Sequence, residues 1–414
     1  MPNQDHSKVT GLSGNEIFCL KKMNYNPGQL CIGNSVVSLG IGKSITGGLS
    51  TLAGGEITQI TELIYSGRKN SFDRIMQEAR NYGGVGLTGI SFDLINHGSN
   101  VEFLAIGSTV RSSSPASDAL SFSTSADAQA LYCQLDSGFK PHSFVFGNVA
   151  YSIGVGGNIG GAFRSLKRGE VKQFTEIFDR TRHLALSRLK EEAKKVGANA
   201  VIGVQTSIMP FMGTQEMLMI GTASSHPLLN SYSNDPVTSD MTNEELWNMV
   251  NIGYLPIGLV MGVSVYSLGF SSGVAAWFQS LVGGQVQGLT ELLYEAREKA
   301  LERLQMQAQK CNADEVVGVK TRVYNLGGGL VEFMVIGTAV KKMDGVKTMQ
   351  DNLPVQAIIQ DKETFVDSIQ DLDINLNSTK AASASSLQRG PIAFIVFFIY
   401  ILFYILITLF KHHG

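Results

Sequence analysis

The chain matches itself twice, at offsets of 114 and then 115 residues, and the register drifts by at most two residues over about 90. A period of this kind restricts the fold to one small unit used three times, so every other signal has to be read within the unit. The stretch with Pro27, Gly33, Ser38, Leu39 and Gly40 recurs as Pro141, Gly147, Ser152, Ile153 and Gly154, then as Pro256, Gly262, Ser267, Leu268 and Gly269. Next come Glu56 to Glu62, Glu170 to Glu176 and Gln285 to Glu291. A Thr-Glu pair followed by Arg is kept in all three copies: Thr61, Glu62, Arg68; Thr175, Glu176, Arg182; Thr290, Glu291, Arg297. Each copy then has Gly89, Gly203 or Gly318, and closes with a run from Glu102 to Gly107, Glu216 to Gly221 or Glu332 to Gly337.

Within a copy the apolar spacing is that of a helix. Ile60, Leu63, Ile64, Ile75 and Ala79 correspond to Phe174, Ile177, Phe178, Leu189 and Ala193, and to Leu289, Leu292, Leu293, Leu304 and Ala308. Those intervals predict an amphipathic helix of about six turns. Gly197 and Asn312 stand where a left-handed cap ends the second and third helices. Short β-branched runs such as 200–204, 316–319 and 331–335 predict strands. The expected fold class is α+β: three modules of strands, one long helix and two strands, over 15–111, 129–225 and 244–341, followed by a transmembrane helix. Ser112 to Ala128 and Ser224 to Asn243 are rich in Ser, Pro, Asp and Asn, and predict linkers that let the modules stack or shift.

The third copy carries the clearest resemblance to a known family: Gly283 and Gly284, Tyr294 to Ala300, Ala308, Asn312 to Val319, and Ile336 to Val340. The second has Gly197 to Val204 and Gly221 to Ala223; the first is more diverged, with Gly83 to Leu87 in that place. The pattern resembles the YbjQ-like family, described as a "putative heavy-metal-binding domain", over roughly 290 of the 414 residues. That resemblance implies a small α+β subunit that assembles into a ring, typically pentameric, with short extra strands and a glycine-rich segment joining neighbours. Three tandem copies depart from the single-domain pattern.

The resemblance invites a metal site, but the ligand types do not repeat. Cys31 corresponds to Val145 and Val260, and Cys311 to Tyr82 and Val196. A thiol that alternates with valine fills apolar volume. Cys19 matches Cys133 but meets Asn248 in the third copy; His142 and His183 have no counterparts; His412 and His413 are a pair at the tail. Gly42, Lys43 and Ser44 lack the first glycine of a phosphate loop, since Val37 holds its place, and Gly154 to Gly157 miss the dinucleotide spacing. The 33 basic and 35 acidic residues give a net charge of -2, with no basic excess for nucleic acid. No metal, cofactor or catalytic residue is expected, and the chain is not expected to be an enzyme.

The sharpest shared polar set is the glutamate and arginine of each helix with the glutamate of the following strand: Glu62, Arg68 and Glu102; Glu176, Arg182 and Glu216; Glu291, Arg297 and Glu332. Helix positions six apart point about 120° away from each other, so Glu62 and Arg68 need different partners. Glu102 and its counterparts are the expected partners of the arginines, in ion pairs that fix module against module or subunit against subunit. A catalytic carboxylate pair is the alternative, but no nucleophile accompanies it in every copy.

Only 16% of the residues are charged. Part of that deficit is a 45-residue uncharged stretch, Leu246 to Thr290, expected to form buried subunit contacts or to face a bilayer rather than to insert. Beyond the third module, 354–374 predicts an acidic amphipathic helix and 375–390 a polar linker. Pro391 to Phe410, 20 residues without charge, predict a membrane span followed by only four residues. Met1 to Asn15 contain no apolar signal-peptide core, so a tail-anchored protein with its bulk in the cytoplasm is expected. The functional expectation is a membrane-anchored structural protein forming a multi-tier ring, dome or collar, whose partners are itself and, through 391–410, the bilayer. The alternative is a ring that binds a ligand or metal and reports to the membrane.

Overall fold

Side-chain caps open each repeat with a short helix that the apolar periodicity had not indicated. The computed structural model describes residues 9–38, 55–98, 100–113, 120–152, 168–211, 214–267, 287–327 and 330–359. In the first module Ser13 and Glu16 cap one another's backbone N–H groups and start α1 (Gly14–Lys22). There follow β1 (Tyr25–Ser38), β2 (Gly55–Glu56), α2 (Thr58–Asn81), β3 (Gly86–His97) and β4 (Asn100–Ser112). The second module repeats this after β5 (Phe122–Ser123): α3 (Ala128–Asp136), capped by Asp127, then β6 (Lys140–Ser152), β7 (Gly169–Glu170), α4 (Lys172–Lys195), β8 (Ala200–Phe211) and β9 (Thr214–Ser225). A 3-10 turn at Pro227–Tyr232 and β10 (Val237–Thr238) lead to the third module. It consists of α5 (Asn243–Asn251), capped by Thr242 and Glu245, then β11 (Tyr254–Ser267), α6 (Gln287–Lys310), β12 (Glu315–Gly327) and β13 (Leu330–Lys342), with α7 (Val355–Ile358) after it.

Each module is a three-stranded sheet whose last strand lies between the other two and pairs antiparallel with both, with the long helix that joins the first strand to the second lying across one face, an α+β unit. Two glycine positions make this packing possible. Gly33, Gly147 and Gly262 lie where the long helix crosses the first strand; a Cβ there would come within 2.2, 2.3 and 1.9 Å of the carbonyl oxygens of Ser71, Ala185 and Ala300. Gly89, Gly203 and Gly318 have φ of +66°, +64° and +64° at the register shift of β3, β8 and β12, a bulge that re-aims the strand.

Strand order shows how the modules are tied: β1-β4-β3-β5, then β10-β8-β9-β6-β2, then β12-β13-β11-β7. The outermost strand of the second sheet, β2, belongs to the first module, and that of the third sheet, β7, belongs to the second. The expected linkers are not spacers, because their residues are hydrogen-bonded into the modules on both sides. β5 and β10 pair in parallel with β3 and β8. Thr124 and Ser125 then bond Thr222 of the second module, as Ser239 and Asp240 bond Thr338 of the third. The capped helices α1, α3 and α5 pack in succession, with α7 against α1 and α3.

The uncharged stretch from Leu246 resolves, as far as Ser267, into α5 and β11, a strand bonded on both edges and almost wholly buried. Of the helix expected over 354–374, one turn is described as α7, with Ile359 extended beyond it. The expected linker 375–390 and span 391–410 lie outside the described residues. Among the described residues no helix is long and apolar enough to cross a membrane.

The close helix crossing predicts that Gly147→Ala destabilises the protein by about 1–3 kcal/mol, because the added methyl meets backbone on both sides and cannot be accommodated by a rotamer change. Chemical denaturation checks this; an unchanged midpoint would show that α4 lifts freely off β6.

Candidate functional site

Two of the shared arginines and two of the shared strand glutamates meet at two joints between modules. At the first, the Arg68 guanidinium of α2 faces the Glu216 carboxylate of β9, Nη1 to Oε1 and Nη2 to Oε2, the latter at 2.8 Å, with both side chains buried. At the second, Arg182 of α4 donates through Nη2 to both oxygens of Glu332 in β13 at 2.8 Å, again fully buried. Aromatic rings complete the second cage: the guanidinium lies 4.8 Å from the centre of Tyr151 and 5.3 Å from that of Phe178. Burial opposes the positive charge on Arg182, but Glu332 and Tyr151 outweigh it and its pKa rises. Burial likewise pushes the Glu332 carboxyl up, against the pull of Arg182. A guanidinium keeps its proton, and a neutral acid opposite it would leave a buried cation unbalanced, so the pair is ionised.

The rest of each joint is also duplicated. Thr61 Oγ1 accepts from the Ala150 N–H at 2.9 Å, and the Ile57 N–H donates to the Ala150 carbonyl at 2.8 Å. Thr175 and Val171 make the same two contacts with Val265, at 2.9 and 2.8 Å. Arg188 pairs with Glu56 at 2.7 Å and Arg303 with Glu170 at 2.6 Å, each arginine also donating to a carbonyl of the first strand in its own module. Around the first joint Tyr65 packs on Phe146 and Phe72 on Phe144, with ring centres 5.2 and 5.5 Å apart.

Of the expected site residues, the structure brings together Arg68 with Glu216 and Arg182 with Glu332. It does not bring in the helix glutamates: Glu62, Glu176 and Glu291 are exposed, because the turn that buries the arginine points them outward. Glu176 instead lines a surface pocket of about 420 Å³ with Glu56, Arg180 and Leu184. Arg297 is exposed. Among the described residues Glu102 meets no arginine; it accepts from Asn34 at 3.1 Å and lies 2.8 Å from His97, contacts that hold its carboxyl below the ordinary range. Sequence reasoning missed Arg188 with Glu56 and Arg303 with Glu170, although Arg74, Arg188 and Arg303 recur at the repeat offsets.

The buried carboxylates are committed to the joints. Glu216 and Glu332 are each held by an arginine, which removes them as acids or bases. The thiols do not fit a heavy-metal centre. Cys19 and Cys133 lie with Trp247 and Ala357 where the capped helices meet, Cys31 lies under α2, and burial pushes all three up, Cys19 and Cys31 to about 12. Among the described residues no three His, Cys, Asp or Glu side chains are grouped to hold a metal ion. His412 and His413 lie outside them.

Two measurements follow from this geometry. At pH 8 in native protein, one of the four cysteines, the exposed Cys311, reacts with a thiol reagent and the others only after unfolding; rapid labelling of Cys19 or Cys133 would contradict the burial described. Arg182→Ala costs about 3–5 kcal/mol by stranding Glu332, while Arg182→Met with Glu332→Leu costs much less. Equal losses in a denaturation series would mean that packing, not charge, sets the cost.

Residues 23–113, 139–226 and 251–343 each match the family described as "Putative heavy-metal-binding". The encapsulin nanocompartment protein Rv1762c of Mycobacterium tuberculosis is 30% identical over 234 residues, which are 54% of this chain and 87% of that protein. A UPF0145 protein of Thermosipho melanesiensis is 42% identical over 84 residues, 20% of this chain and 78% of its own length. One from Thermotoga maritima is 41% identical over 85 residues, 20% of this chain and 80% of its own. With three matched segments, each built around the same unit of one long helix on a three-stranded sheet, this chain belongs to the YbjQ-like family as a tandem triplicate.

Proposed function

We propose that this protein is a structural element that self-assembles, through its modules, into a ring or shell held on a membrane. The observation that carries the proposal is that one chain uses the same buried, charge-paired joint twice, at Arg68–Glu216 and Arg182–Glu332. A joint that accepts different modules on its two sides has the form of a subunit interface, and heterologous contacts of this kind propagate until they close. The similarity to a protein named as forming an encapsulin nanocompartment supports the same role. Because successive modules meet through one repeated contact, we place the three in a single course rather than in separate tiers.

The uncharged run 391–410 is the element that would hold the assembly to a bilayer, many copies per particle giving avidity without further lipid contacts. Four free cysteines fit a reducing compartment, with the modules on the cytoplasmic side. Native mass spectrometry of the detergent-purified full chain is expected to give a multiple of the chain mass without a stoichiometric ligand. A single-chain mass would refute assembly, and a stoichiometric bound metal would favour a ligand-binding ring. Alkaline extraction of membranes is expected to leave the full chain in the pellet and to release a chain ending at 390; release of both would remove the anchor.

A further inference from the structure

Positions buried at the two internal joints are exposed at the outer faces of the first and third modules. On the first module Ile32 and Val36 of β1 are 52% and 56% exposed, whereas their counterparts Phe146 and Ala150 are at 4% and 0%, and Met261 and Val265 at 0%. Val36 lies opposite Glu102 in the sheet, as Ala150 lies opposite Glu216 and Val265 opposite Glu332. The edge of β1 at 36–38 has no partner strand among the described residues. On the third module Val319 of β12 is 43% exposed where Val204 and Ile90 are at 3% and 2%. Tyr294, the counterpart of Tyr65, is 60% exposed, and Arg297 beside it makes no ion pair among the described residues.

The third module thus presents the arginine half of the joint and the first module the glutamate half. We propose that a second copy of this chain closes it: Arg297 of one copy enters the first module of the next and pairs with Glu102, while Tyr294 covers Ile32. This rests on the self-assembly proposed above and names its contact. The second copy is favoured over an unrelated partner because the faces are complementary in charge and continue a joint the chain has already built twice. His97 stands where the second and third modules have Phe211 and Leu326, and with Asn34 it keeps Glu102 charged and in place until the arginine arrives. The contact is head-to-tail, so a closed ring holds modules in multiples of three.

The test uses full-length chain in detergent, by native mass spectrometry and sedimentation. Arg297 is exposed and Glu102 is 18% exposed, and both lie outside the two internal joints, so circular dichroism of Arg297→Glu and Glu102→Arg is expected to match that of the wild type. Each alone is expected to weaken association at least about tenfold. Mixing the two variants restores association, because each supplies the half that the other lacks and the remaining junction is a reversed pair. Single variants that assemble like the wild type would overturn this contact while leaving self-assembly standing. Loss of assembly in both without recovery on mixing would also overturn it. A wild-type chain that stays single overturns both proposals.

Discussion

A buried guanidinium facing a buried carboxylate across a module boundary is the constraint on which the rest of this structure depends. Neither group can be left alone in an apolar interior, because an unpaired buried charge costs several kcal/mol. The pairing therefore fixes more than attraction. It sets the position of α2 against β9 and of α4 against β13 to within a hydrogen bond, and the apolar contacts around it must close in that register. Aromatic packing of Tyr65, Phe72, Phe144 and Phe146 supplies the area, while the charge pair supplies the address.

The repeat then propagates the constraint. Each module contributes an arginine on its helix and a glutamate on its last strand, so it is a donor on one side and an acceptor on the other. Chaining three of them satisfies two joints and leaves one half at each end. The connecting segments reinforce this order. β5 and β10 each lie between one module and the next, and α1, α3 and α5 pack in succession, so covalent continuity and the ion pairs select the same neighbours. Low charge follows from the same cause: surfaces that stay solvated in a free module are interior here.

Much of this was legible from residues. The offsets located the modules, helical spacing found α2, α4 and α6, and the shared Thr, Glu and Arg marked the joint. The capped helices escaped notice because nine residues show too few turns for apolar periodicity, although Ser13 with Glu16 and Thr242 with Glu245 carry the spacing of a capping box. The serine-rich connections looked like spacers because composition reports local polarity. Their strands are held by backbone bonds to distant partners. Glu62 was grouped with Arg68 because both are shared, yet only a burial pattern distinguishes a shared interface residue from one on an exposed turn.

By itself the sequence determined the unit, its number, its family and the glycines its packing requires, since each is a local pattern repeated in register. Tertiary structure alone decided which copy's glutamate meets which copy's arginine. Arg68 passes over Glu102 in its own module to reach Glu216, 148 residues away, and Arg182 passes over Glu216 to reach Glu332, 150 residues away. Each copy offers the same glutamate at the same place in its last strand, so residue type does not separate the intramodular choice from the intermodular one. Only the direction in which the long helix presents its buried face separates them, and that direction is fixed by the crossing at Gly33, Gly147 and Gly262.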